Sequence, residues 1–179
     1  WLKLAASSVP SNQADSFAAM PFGCFSAKAV KNDEEIVPRG GGGKEAGAAA
    51  ESYKHGVRTS HDSSVLPDVA LKKLREGNER FVKGPETSVT NFKPEYITAL
   101  ATHGQRPMAA ILGCADSRAP IEIMFDVNPG DVFVLRNAGN TLSHAEGSVV
   151  GSLEYCVGPL GSKLILVLGH TKCGAMMGA

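Results

Sequence analysis

The apolar residues change their rhythm twice along the chain. Up to residue 62 they follow no sustained period, and the stretch holds a Gly40-Gly41-Gly42-Gly43 run, an Ala48-Ala49-Ala50 run and scattered Ser, Pro and charged residues. Such a composition buries too little apolar surface to offset the entropy of ordering, so residues 1–62 read as a disordered leader or linker. From Leu66 onward, Leu66, Ala70, Leu74, Gly77 and Phe81 recur every three or four positions, which predicts one helical face. Pro67 suits the first turn of that helix and Gly84-Pro85 ends it. A second helix is predicted from Pro94 to just before Gly104, with Tyr96, Ile97 and Leu100 available for packing.

After Pro107 short apolar runs alternate with helical stretches. Met108 to Gly113 is continuously apolar, as a parallel strand buried on both faces requires. Ala119 to Phe125 predicts a short helix closed by the turn Asn128-Pro129-Gly130, and Asp131 to Arg136 predicts a second strand. Val149, Leu153, Cys156 and Leu160 mark one face of a further helix, and Lys163 to Gly169 predicts a third strand. Strands and helices alternating at these spacings predict an α/β fold, a parallel β-sheet core with flanking helices, over residues 63–179.

Composition narrows the classes. The chain has 179 residues, 43% hydrophobic and 20% charged, which gives one domain's worth of core. Its 18 basic and 18 acidic residues cancel, and no basic stripe of the kind a nucleic-acid binder shows is present. No apolar run is long enough to span a membrane, so the expected partner is a small molecule or a second copy of the chain. Four cysteines are too sparse for a disulfide-built fold, which points to an intracellular, reducing compartment with thiols free to bind metal. Up to Lys31 the leader carries three Lys, one Asp and several Ser and Ala, a weak transit-peptide-like composition suggesting a chloroplast or other organelle. The chain begins at Trp1, not Met, and ends six residues after Cys173, so both ends read as cut.

The chemistry is concentrated in Cys114-Ala115-Asp116-Ser117-Arg118 and His170-Thr171-Lys172-Cys173. Each cluster follows a predicted strand, and open parallel sheets bind ligands just beyond the carboxyl ends of their strands. Two Cys and one His complete the protein ligands of a catalytic zinc, leaving a fourth position for water or a carboxylate. If the first and third strands are neighbours, with the second on the far side of the first, their ends lie about 4.8 Å apart and one metal reaches both. Cys173, on the first turn of the next helix, then joins from nearly the same side. Alternation along an extended loop places Cys114, Asp116 and Arg118 on a shared face. A bidentate Arg118–Asp116 clamp would decide whether the carboxylate ligates metal or accepts a hydrogen bond from water. Core thiols, a Cys114–Cys173 disulfide and a structural zinc are the competing readings of the same residues. Cys156 reads as core, Cys24 as incidental, His144 as a surface residue, His103 as a partly exposed helix end and Arg136 as a structural ion-pair partner.

Cys-x-Asp-x-Arg followed by Gly-His-x-x-Cys-Gly resembles the β-class carbonic anhydrases. The resemblance runs from about Leu66 to the last residue and includes the stretch from Leu74 to Gly84, Gly104-Gln105-Arg106-Pro107 and Val134-Leu135-Arg136-Asn137-Ala138-Gly139-Asn140. It implies one Zn2+ per subunit on Cys114, His170 and Cys173, with Asp116 and Arg118 as the catalytic dyad beside it. It also implies reversible hydration of carbon dioxide to bicarbonate and a homodimer or higher homo-oligomer. Gln105 matches a glutamine that hydrogen-bonds substrate across the dimer interface, and Phe133 and Tyr155 match aromatic residues walling the pocket. Ala138 stands where plant-like members carry a larger valine. The helix around Leu74 matches an N-terminal helical arm that packs on the second subunit. Members of the family continue past the point where this chain stops, so the resemblance describes a domain truncated at the C-terminus. A non-catalytic zinc-binding fragment, or a hydrolase of a linear relative of carbon dioxide such as carbon disulfide, are the alternatives.

Overall fold

The computed structural model describes residues 25–31, 56–89, 92–143 and 147–179. Its elements are β1 (Phe25–Lys31), α1 (Pro67–Lys83), α2 (Pro94–His103), β2 (Ala109–Cys114), α3 (Ile121–Met124), β3 (Val132–Asn137), α4 (Ser148–Val157), β4 (Leu164–His170) and α5 (Gly174–Met177). One four-stranded sheet has the order β1-β4-β2-β3. β2 lies between β3 and β4 and is parallel to both, with Cys114 opposite Asn137 and Gly113 opposite Leu168. The expected three-strand parallel core is therefore present, with the first and third predicted strands adjacent.

Every residue of β2 is buried, because the strand is covered on both faces. On one face Ile111, Val132, Leu164, Leu166 and Leu168 pack with Leu74 of α1 and with Ile121, Met124 and Phe125. On the other, Ala110, Phe133, Leu135 and Ile165 pack with Val149, Leu153 and Cys156 of α4. Cys156 is thus core, as expected, and burial pushes its thiol up to about 11.

Three expectations need correction. The leader is not unstructured throughout: β1 pairs antiparallel along the whole of β4, with Phe25 opposite His170 and Lys31 opposite Leu164. The open edge of β4 supplies the unpaired N–H and C=O groups that hold it, a tertiary cause absent from the local sequence. Order also begins before residue 63, since Val57, Arg58 and Thr59 are buried. Arg58 tolerates burial because its guanidinium donates to the Arg106 carbonyl at 2.7 Å and the Ser63 carbonyl at 2.5 Å. Cys24, His144 and the rest of the expected leader lie outside the described residues.

The buried face of α1 also differs from the periodic one. Ala70, Leu74 and Gly77 are buried as expected and are joined by Leu71 and Asn78, while Leu66 and Phe81 are exposed. The cause is the close approach of α1 to the turn after α3. A Cβ on Gly77 would lie 1.7 Å from the Phe125 carbonyl oxygen, so only glycine allows the contact. One residue on, Asn78 donates its amide to the Met124 carbonyl at 3.0 Å. Arg80 Nε then pairs with the buried Asp126 carboxylate at 2.5 Å, which also accepts the Ser88 hydroxyl at 2.6 Å and the Val89 N–H. α2 buries none of its residues fully.

Candidate metal centre

The carboxyl ends of β2 and β4 deliver the three expected ligands. Cys114 and His170 are the last residues of their strands, one position beyond the predicted ends, and Cys173 caps the four-residue α5. Between them Lys172 takes φ 53°, a left-handed conformation that turns the chain sharply enough to bring Cys173 back over the sheet. All three side chains are buried, and their ligating atoms lie within 4.8 Å of one another.

The spacing of the sulfurs excludes a disulfide and fits a shared metal. Cys114 Sγ and Cys173 Sγ are 3.8 Å apart, and both thiols are free. A disulfide needs about 2.05 Å. Two sulfurs bound at about 2.3 Å with a tetrahedral angle between them would sit about 3.8 Å apart, which is the distance observed. The donor set of two thiolates and one imidazole suits zinc. His170 Nδ1 lies 3.1 Å from the Thr171 carbonyl and 3.3 Å from an Arg118 terminal nitrogen, and only the tautomer that donates to the carbonyl leaves the Nε2 lone pair for a metal. Nε2 is also the nitrogen that faces Asp116, 3.9 Å from its Oδ2.

Cys114 is prepared for the thiolate state. Burial pushes its thiol up, but the backbone N–H groups of Asp116 and Gly139, together with His170 and Cys173, outweigh it and bring it down from 9.0 to about 7. The two N–H donors each lie 3.4 Å from the sulfur.

Asp116 and Arg118 form the expected clamp. Arg118 Nε donates to Oδ1 and an Arg118 terminal nitrogen donates to Oδ2, both at 2.9 Å, and the Arg118 backbone N–H adds a third bond to Oδ1. These bonds hold the Asp116 carboxyl well below the usual carboxylate range, with charge attraction to Arg118 adding to them. The same guanidinium nitrogen reaches the Lys172 carbonyl at 3.3 Å, tying the β2 loop to the β4 turn. Both carboxylate oxygens are thus engaged by Arg118 while the group remains at the edge of the ligand cluster.

The other expected site residues lie elsewhere in the chain. Gln105 and Tyr155 line a cavity of about 570 Å3 with His103, Arg106, Ile97 and Leu160, and none of the three ligands lines it. Phe133 stands 6.2 Å from Tyr155, ring to ring. It pairs with Ala110, four positions before the Asn137–Cys114 pair and so about 13 Å back along the sheet. One chain therefore holds two groups of candidate site residues at opposite ends of its strands. Arg136 departs from expectation: its Nε donates to the Cys114 carbonyl at 2.9 Å and a terminal nitrogen donates to the Asp116 carbonyl at 2.6 Å. Backbone carbonyls leave no mark in a sequence, which is why an ion pair was the natural reading.

Residues 109–179 match the family model described as carbonic anhydrase. Among curated proteins, the chain is 49% identical over 117 residues to carbonic anhydrase 2 of Mycobacterium tuberculosis, covering 63% of this chain and 52% of that protein. It is 44% identical over 114 residues to the carbonic anhydrase of Mycolicibacterium smegmatis, covering 62% and 51% respectively. A solved Coccomyxa β-carbonic anhydrase in complex with acetazolamide is 30% identical, covering 63% of this chain and 46% of that one, with a TM-score of 0.39. The chain spans about half the length of the curated relatives it matches. With the motifs around Cys114 and His170, these sequence matches support a β-class carbonic anhydrase.

Proposed function

We propose that the protein catalyses the reversible hydration of carbon dioxide to bicarbonate and a proton, with one zinc held by Cys114, His170 and Cys173. The observation that carries this reading is the 3.8 Å sulfur pair and buried imidazole beside a carboxylate already clamped by arginine. Zinc at such a site would lower the pKa of water from 15.7 to about 7, the value known for carbonic anhydrases. Two thiolates place more negative charge on the metal than three imidazoles would, so the surrounding residues carry more of the work.

Asp116 performs most of it. Its low affinity for protons keeps it an acceptor at any physiological pH, and Oδ2 faces the ligand cluster. There it accepts a hydrogen bond from the attacking water and directs the oxygen lone pair at the carbon of the substrate. Arg118 supports this by occupying both carboxylate oxygens, which would disfavour ligation of the metal by Asp116 and keep room for water.

Gln105, Phe133 and Tyr155 complete the site from a second copy of the chain. Their separation from the ligands within one chain supports this arrangement, as do the exposed Ile97 and Tyr155 around their cavity. In that arrangement the Gln105 amide donates to the developing bicarbonate oxygen. The free thiols fit a reducing compartment, and no described helix is long and apolar enough to cross a membrane.

Stopped-flow hydration of carbon dioxide, with zinc content measured on the same sample, tests the reading. Wild type should be active at one zinc per chain, and Asp116→Asn should keep its zinc and lose most of the rate. Zinc bound without hydration, or full rate in Asp116→Asn, would refute it.

A further inference from the structure

Arg136 occupies a place that the proposed chemistry leaves unassigned. It stands on β3 opposite Gly113, one position before the Asn137–Cys114 pair, and its guanidinium bridges two carbonyls of the neighbouring loop. One carbonyl belongs to the ligand Cys114 and the other to Asp116. The Asp116 carbonyl also accepts the Ala119 N–H at 3.0 Å, so the loop is gripped on its outer side from two directions. On its inner side, the Asp116 N–H points at the Cys114 sulfur. The same residue sends its carboxylate to Arg118.

We infer that Arg136 is a positioning residue: its two bonds set the loop so that one geometry serves both the Cys114 thiolate and the Asp116 carboxylate. The physical case rests on what a loop lacks. β2 ends at Cys114, and beyond it the ladder contributes one more bond, from the Ala115 N–H to the Asn137 carbonyl at 2.9 Å. Past that point the backbone has no sheet to hold it, yet both functional side chains of the loop depend on its course. A guanidinium is planar, permanently charged and able to donate in two directions, so it spans carbonyls two residues apart where an ammonium would hold one. Arg136 is itself exposed and outside the core, so its removal should loosen the loop without unfolding the domain.

The inference rests on the zinc reading, and two measurements on the full chain separate their failures. Arg136→Met should weaken zinc affinity about tenfold to a hundredfold in chelator competition, the range seen when groups supporting metal ligands are removed. Arg136→Lys should recover part of that loss. In zinc-free protein, Arg136→Met should speed amide exchange at Asp116 and Gly139 about tenfold while Ile111 and Leu112 stay protected. Leu74→Ala, a core lesion, gives the contrasting pattern of faster exchange throughout the sheet. Unchanged exchange at Asp116 and Gly139 in Arg136→Met would overturn the inference, as would a sheet-wide acceleration like that of Leu74→Ala. If the wild type binds no zinc, the functional reading falls, and the exchange measurement still decides the role of Arg136.

Discussion

Asp131→Asn should change how stability depends on pH, in a direction opposite to that of most carboxylates. Asp131 begins the β3 region at 7% exposure, with Oδ2 accepting the Asn128 N–H at 2.9 Å and Oδ1 buried without a hydrogen-bond partner. Burial raises its pKa from 3.8 to about 6; the Asn128 bond, Arg58 and Lys73 oppose that rise, and Asp62 adds to it. In the folded protein the group therefore holds its proton more tightly than in the unfolded chain. Its contribution is fully present below about pH 3.8 and is lost as pH rises through about 6. At about 1.4 kcal/mol per pH unit the loss is about 3 kcal/mol. Asparagine keeps the acceptor for Asn128 and never ionises. Its amide nitrogen adds a buried donor whose cost, about 1–3 kcal/mol, does not vary with pH. Urea unfolding of both proteins from about pH 4 to about pH 8 isolates the term, because every other titrating group is shared. The stability of Asp131→Asn relative to wild type should rise by roughly 2.5 kcal/mol across that range, which begins just above the unfolded pKa. A difference that stays flat, or one that falls with pH, would contradict the argument.

Gly77→Ala should destabilise the fold by about 3 kcal/mol or more, because the new Cβ meets a backbone oxygen that no rotamer change can move. Helix propensity alone predicts a gain of about 1 kcal/mol, so a stabilised variant in thermal unfolding would refute the close approach. Arg80→Met should cost about 3 kcal/mol by leaving the Asp126 carboxylate buried without its cation. Loss of less than about 0.5 kcal/mol in urea unfolding would mark the pair as an ordinary surface bridge. Cys156 should resist iodoacetamide at mildly alkaline pH in the native protein, because its thiol is buried and held at about 11. Rapid labelling detected by mass spectrometry would show that the α4 face is open.

The parallel core was legible because burial on both faces writes itself into sequence as unbroken apolar runs, and Ala109–Cys114 and Leu164–His170 are such runs. Cys114, His170 and Cys173 were legible for a related reason: strand ends are where an open sheet presents its chemistry. What the sequence concealed was held by backbone groups. β1 lies along the edge of β4, Arg58 is buried on two carbonyls, and Arg136 grips two more. Any residue supplies a carbonyl, so no residue pattern announces these contacts. Asn78 joined the α1 face and Phe81 left it because helix periodicity counts apolar side chains, whereas the contacts at Gly77 and Asn78 are made to backbone carbonyls.

The central claim is that two sulfurs and one imidazole of a single chain form the metal centre. X-ray absorption at the zinc edge of the loaded protein tests it directly. The account predicts two sulfur scatterers at about 2.3 Å and one histidine nitrogen at about 2.0–2.1 Å, with a light atom completing the shell. A shell with three or more sulfurs, or with none, would contradict it.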